Sequence, residues 1–213
     1  MSNQSSAHER RAEPVYTEWR EQMRDGLKPL QERSVPLYRD TTLFRVYSST
    51  LVPGLLQTEG YATALLNSIG DFRELPIKDP AEAAAARVRR SRIIHEPGHR
   101  CVPLVEESVL YHQVCGAKAM AEQLDHLLAV EALPPVTFGV IPKSTPDRLH
   151  LPMETFHVFD DGLVSVELLS GRLRLTQPHE VTLYVKAFEK LRGMAVYGAE
   201  ARALVEKAAE ALR

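Results

Sequence analysis

The chain has 213 residues, is 44% hydrophobic and 25% charged, and carries a formal net charge of −2 at neutral pH. That length supports one full hydrophobic core. The near-neutral balance leaves no basic footprint for non-specific nucleic-acid binding, and no apolar run reaches the length of a membrane span. The only cysteines, Cys101 and Cys115, exclude a disulfide scaffold and fit a reduced, cytoplasmic setting.

Residues 1–14 are polar and charged and read as a disordered tail without a secretory signal. Residues 15–213 read as a single domain. Trp19, Met23, Leu27 and Leu30 recur at helical spacing, and Gly26 and Pro29 weaken that helix. It is the only helical run before a strand over 42–48, too little for a helix-turn-helix. An apolar corner follows: Leu51, Val52, Leu55 and Leu56 surround Pro53-Gly54, a turn pair that places Gly54 at positive φ. Thr58 is an N-cap for the helix that leads out of the corner, with Glu59 in its first turn.

Residues 70–78 read as a loop. Asp79, Pro80 and Glu82 then form a capping-box start to a helix ending near Pro97-Gly98. On its wheel Ala83, Arg87, Arg90 and Ile94 share one stripe, and Arg89 and Arg92 lie opposite. Two arginines therefore share a face with apolar residues, where a guanidinium needs a partner, and a carboxylate fits its fork. The expected pairing joins Arg87 or Arg90 to Glu107 or Glu167, either within a pocket beside the corner or as a structural ion pair.

Strands are expected over 101–105 and 136–141, with a helix between them carrying Met120, Leu124, Leu127 and Leu128. After a polar loop over 143–152, residues 153–159 alternate. Asp161-Gly162 marks a hairpin, and a second turn at Ser170-Gly171 leads into 173–176. Two amphipathic helices close the chain, one from Pro178 to Gly193 and one from about Ala199. The pattern predicts an α/β or α+β fold: one mixed sheet of about five strands with helices packed on it.

His95 and His99 are four apart, but Pro97-Gly98 keeps them off one helical face, so no metal site is expected. His112 and Cys115 read as a surface histidine beside a buried cysteine rather than as a catalytic pair. Phosphate-binding glycine loops and nucleophile elbows are absent from the sequence.

The run Pro53-Gly54-Leu55-Leu56-Gln57-Thr58 resembles the signature of a domain of unknown function (family 5753). That domain follows the helix-turn-helix in Scr-type, antitoxin-like transcriptional regulators of the xenobiotic-response-element (XRE) class, common in actinomycetes. Arg87 and Arg90, Glu107 with Leu110 and Gly116, Gln123 with Leu124 and Leu127, residues 136–142, Phe156 and Glu167, and the closing helix with Tyr184, Phe188 and Leu191 extend the resemblance in order along the chain. The family's DNA-reading domain does not precede it here, Ser91 stands where glutamine is usual, and residues 143–151 lack glycine. The resemblance implies a stand-alone regulatory domain that binds a small molecule, a partner protein or both. It would act through a separate DNA-binding or toxin-like partner, without reading DNA directly and without a cofactor. A homodimer is compatible with it, and the alternative is a copy repurposed as an enzyme of specialised metabolism. The implied ligand-binding set is Gln57, Arg87, Arg90, Glu107, Gln123 and Glu167.

Overall fold

Alternation of residues along the strands decides where each layer of this molecule packs. The computed structural model describes residues 13–74, 79–148 and 154–212. The tail expected over 1–14 lies outside them except for residues 13 and 14, as do parts of the expected loops 70–78 and 143–152.

The chain opens with β1 (Val15–Glu18), followed by three short helices, α1 (Trp19–Gln22), α2 (Leu27–Glu32) and α3 (Val35–Asp40). One helix was expected here. Gly26 has φ 102° and ends the first turn, and α2 restarts with Leu27 N–H and Lys28 N–H donating to the Asp79 carboxylate at 3.3 and 2.8 Å. Asp79 is thus spent on a neighbouring helix and makes no side-chain cap to its own, so the expected capping box does not form. Glu82 instead accepts from Lys28 Nζ at 2.9 Å.

Next come β2 (Leu43–Ser48), α4 (Glu59–Phe72), α5 (Pro80–Ser91), β3 (Arg100–Glu106), α6 (Ala117–Glu131) and β4 (Gly139–Ile141). A meander follows, β5 (Phe156–Phe159), β6 (Leu163–Glu167) and β7 (Gly171–Leu175), then α7 (Pro178–Arg192), β8 (Val196–Tyr197) and α8 (Gly198–Glu210). The mixed sheet is confirmed, but among the described residues it has eight strands rather than about five, in the order β1-β7-β6-β5-β2-β3-β4-β8. The extra strands are short edge pieces, β1 and β8, whose four and two residues give periodicity nothing to register. Strands β2, β3 and β4 run parallel, joined through α4–α5 and α6, while the pairs β1–β7, β7–β6, β6–β5, β5–β2 and β4–β8 are antiparallel.

One face of the sheet packs on α7 through Tyr47, Leu104, Phe156, Val158, Val164, Val166, Phe188 and Leu191. The other packs on α4, α6 and α8 through Phe44, Val46, Val105, Val140, Tyr61, Leu65, Leu124 and Val205. A third cluster, Leu27, Ala62, Leu66, Ala83 and Ala84, joins α2, α4 and α5, and the alanines let α5 approach closely.

The apolar corner is present, built differently from the expected turn. Residues Gly54–Leu56 form a 3₁₀ turn, and Gly54 is not among the positive-φ glycines. Val52, Leu55 and Leu56 are at most 2% exposed. Thr58 caps α4 as expected, accepting from Tyr61 N–H at 3.3 Å. Among the described residues no helix is long and apolar enough to cross a membrane.

Candidate ligand-binding cavity

Strands β5, β6 and β7 alternate with apolar residues toward α7. Their other face carries His157, Ser165, Glu167, Arg172 and Arg174, brought side by side by the register His157↔Ser165↔Arg174 and Glu167↔Arg172. A polar strand face ordinarily meets water. Here α2, α3 and α5 stand over its His157, Ser165 and Arg172 part, while Glu167 and Arg174 stay exposed at its margin, and the space between is a cavity of about 940 Å³. Its apolar part is Leu30, Tyr38, Leu65, Phe159 and Leu163, and the corner residues 51–54 form one wall.

Arg87 and Arg90 project into this cavity from α5. Arg87 Nη1 donates to Gln57 Oε1 at 2.7 Å, and its Nε donates to Gln31 Oε1 at 3.3 Å. Arg90 Nη1 donates to the same Gln31 Oε1 at 3.0 Å and to the Gln31 carbonyl at 3.3 Å. The Arg90 guanidinium also lies 4.3 Å over the Tyr38 ring. Gln57 is itself held: its Nε2 donates to the Val52 carbonyl at 2.7 Å, so the corner's backbone orients the amide that orients Arg87. Ser91, where glutamine was noted as usual, places its hydroxyl between the Gly54 and Arg87 carbonyls at 3.0 and 2.9 Å and ties α5 to the corner.

The expected arginine–carboxylate pair does not form. Among the described residues neither Arg87 nor Arg90 reaches a carboxylate within 4.0 Å. Glu167 lines the cavity, but it pairs with its cross-strand neighbour Arg172 at 3.4 Å, which the register places directly opposite. Desolvation works against the Glu167 charge; Arg172, His157 and Arg87 outweigh it and hold the carboxyl below its ordinary range. Burial lowers Arg87 to about 10, with Arg90 adding to the effect, so it remains a cation at neutral pH. Burial likewise lowers His157 to about 4, opposed by Glu167 and reinforced by Arg172, Arg90 and Arg87, so its imidazole is neutral.

Of the six residues expected in a site, Gln57, Arg87, Arg90 and Glu167 converge on the cavity, whereas Glu107 and Gln123 do not line it. Glu107, 8% exposed, accepts from Lys143 N–H at 2.8 Å and supports the loop after β4. Gln123 is fully buried beneath the corner. It accepts from Thr58 N–H at 2.8 Å and donates to the Leu56 carbonyl at 2.7 Å, bracing the backbone on either side of Gln57.

Sequence reasoning missed Gln31, Tyr38, His157, Ser165, Arg172 and Arg174. The signal for the strand residues is the alternation itself, which looks like an ordinary solvent face unless one knows that helices cover it. Trp19, the chain's one tryptophan, closes one end of the cavity. Its indole N–H donates to the Leu168 carbonyl at 2.8 Å, and Arg73 and Arg172 lie 4.8 and 5.1 Å from its ring. Among the described residues no three or more metal-ligating side chains converge.

Two solved structures match the chain at low sequence identity. The phospholipase D family member Nuc from Salmonella typhimurium is 7% identical, with 87% of this chain and 99% of that chain covered and a TM-score of 0.46. TrmBL2, an archaeal chromatin protein, is 9% identical, with 88% of this chain and 55% of that chain covered and a TM-score of 0.42. Likenesses this distant carry no argument about function. No curated protein matches the sequence. Residues 34–207 match the family described as Domain of unknown function (DUF5753), a span that takes in the corner, Arg87 and Arg90 and the polar strand face, and the chain belongs to that family.

Proposed function

We propose that this chain is a ligand-binding regulatory domain, and that the cavity between the polar face of β5–β7 and helices α2, α3 and α5 is where its small molecule sits. The observation that carries the reading is the covered polar face. A fold gains nothing by roofing His157, Ser165 and the cavity arginines with helices while leaving about 940 Å³ unfilled between them. Space of that size with a few convergent polar groups suits a metabolite.

The bound state would pass to a separate DNA-binding or toxin-like protein, as in XRE-type regulators of actinomycetes, in the cytoplasm. Such coupling requires that the ligand favour one of two conformations. Trp19, Arg73 and Leu169 line both the cavity and a smaller surface hollow beside Phe72. Phe72 and Leu169 are 69% and 76% exposed, so a ligand that shifts Trp19 also alters an exposed apolar surface. The test is a thermal-shift screen of the full chain against a metabolite panel. At least one compound should raise the melting temperature saturably, and Arg90→Ala should abolish the rise. A flat response across the panel refutes the reading.

A further inference from the structure

Resting on the cavity being a ligand site, we propose that its occupant is a small organic anion whose carboxylate or phosphate group lies against the guanidinium groups of Arg87 and Arg90. The arrangement of their partners is the reason. Both guanidinium groups are anchored through Gln31 Oε1, and Arg87 also through Gln57 Oε1. These acceptors are amide oxygens, which fix the direction of a guanidinium without cancelling its charge. A pair serving only to pin α5 to the sheet has a carboxylate available on the facing strand. That carboxylate, Glu167, is committed to Arg172 instead.

The result is two oriented, uncompensated cations three residues apart on one helix. Each guanidinium has five N–H donors, of which Arg87 uses Nη1 and Nε and Arg90 uses Nη1. Among the described residues the Nη2 groups of Arg87 and Arg90 make no hydrogen bond. A carboxylate or phosphate oxygen supplies the missing acceptor in the geometry guanidinium groups favour. The surroundings have the same sign, for seven arginines line the cavity against three acidic residues.

The ligand is more than an inorganic ion. A single carboxylate or phosphate fills a small part of about 940 Å³. The rest is bounded by Tyr38, Phe159 and Trp19 and by the uncharged polar groups of His157 and Ser165. An aromatic or otherwise planar body with one or two hydroxyl or carbonyl groups matches that lining.

Trp19 makes the test direct, because it is the chain's one tryptophan, is 5% exposed and lines the cavity. The full chain is titrated with benzoate, phenyl phosphate, inorganic phosphate and the neutral benzyl alcohol while tryptophan emission and melting temperature are followed. Benzoate or phenyl phosphate should change Trp19 emission saturably and bind more tightly than inorganic phosphate. Arg87→Gln and Arg90→Gln should each weaken binding by at least ~10-fold, with part restored in Arg90→Lys, which keeps the charge and loses the fork. Arg202→Gln, in a partly buried ion pair with Glu131 away from the cavity lining, should bind as the wild type does. A response to benzoate alone identifies a carboxylate site, and one to phenyl phosphate alone a phosphate site. Sulfate should displace either probe from the wild type, a readout that needs no variant. No response to any anionic probe at millimolar concentration overturns the inference, as does binding of benzyl alcohol that is as tight as that of the anions and insensitive to the arginine substitutions. The ligand-site reading survives both results, and it falls only if the metabolite panel also leaves the melting temperature unchanged.

Discussion

Gln123→Leu separates a brace from a binding residue. Gln123 sits at 0% exposure and spans the corner, accepting from Thr58 N–H on one side of Gln57 and donating its Nε2–H to the Leu56 carbonyl on the other. Leucine matches its size and can do neither. Two backbone groups then lose their partner, each at about 1–3 kcal/mol, with the Leu56 carbonyl the more deeply enclosed. The leucine side chain returns about 1 kcal/mol through added apolar burial. A net loss of about 1–5 kcal/mol follows, which for a chain of this size lowers the melting temperature by about 2–20 °C. Urea unfolding measures the free energy, and the slope of the transition should match the wild type, since the same surface is exposed on unfolding. Below the transition the folded variant should still bind the cavity's ligand, because Gln123 lies outside the cavity lining. A stability change under about 0.5 kcal/mol would refute the accounting of buried backbone groups. Full stability with lost ligand binding would move Gln123 into the site.

Two further perturbations test the cavity's floor and edge. His157 goes from an unfolded value near 6.5 to about 4 in the folded chain. The unfolded chain binds more protons between these values, so the contribution is complete above pH 6.5 and is lost as pH falls toward 4. Its ceiling is about 3 kcal/mol, and solvent reaching the cavity reduces it to about 1–2. The unfolding free energy of the wild type should therefore fall relative to that of His157→Gln as pH drops across that window, and parallel curves would contradict a neutral, desolvated imidazole. At the edge, a Cβ at Gly171 would lie 2.5 Å from the Thr17 carbonyl oxygen and 2.6 Å from Tyr16 Cε2. Gly171→Ala should displace β1 at a cost of about 1–3 kcal/mol and shift Trp19 emission to the red, and unchanged emission would show that β1 does not hold Trp19 in place.

The fold was legible in the sequence where pattern and function agree. The helix and strand periodicities of α4, α6, α7, β2, β3 and the β5–β6 hairpin follow burial, while the turns at Pro53-Gly54 and Asp161-Gly162 take other backbone forms than their residues suggest. The stripe Ala83–Arg87–Arg90–Ile94 was informative for the same reason, because helical spacing alone puts both arginines on the inner side of α5. What was hidden depends on tertiary contact. Asp79 looks like a cap for α5, and only the approach of α2 diverts its carboxylate to Leu27 and Lys28. Gln123 and Gln57 look alike in sequence, yet one braces backbone on both sides and the other passes that support to Arg87. Glu167 carries the charge an arginine partner needs, but strand register delivers it to Arg172. The polar pair His157–Ser165 has the alternation of an exposed face, and nothing local records that α2, α3 and α5 will stand over it.

The central claim is that Arg87 and Arg90 meet the ligand. Side-chain Nε–Hε NMR resonances of the arginines, assigned by substitution, test it directly when the strongest stabiliser from the metabolite panel is titrated in. The Arg87 and Arg90 resonances should move together along the binding isotherm, while those of Arg148 and Arg202, paired to Glu106 and Glu131, stay fixed. Saturable binding that leaves Arg87 and Arg90 unmoved would contradict the account.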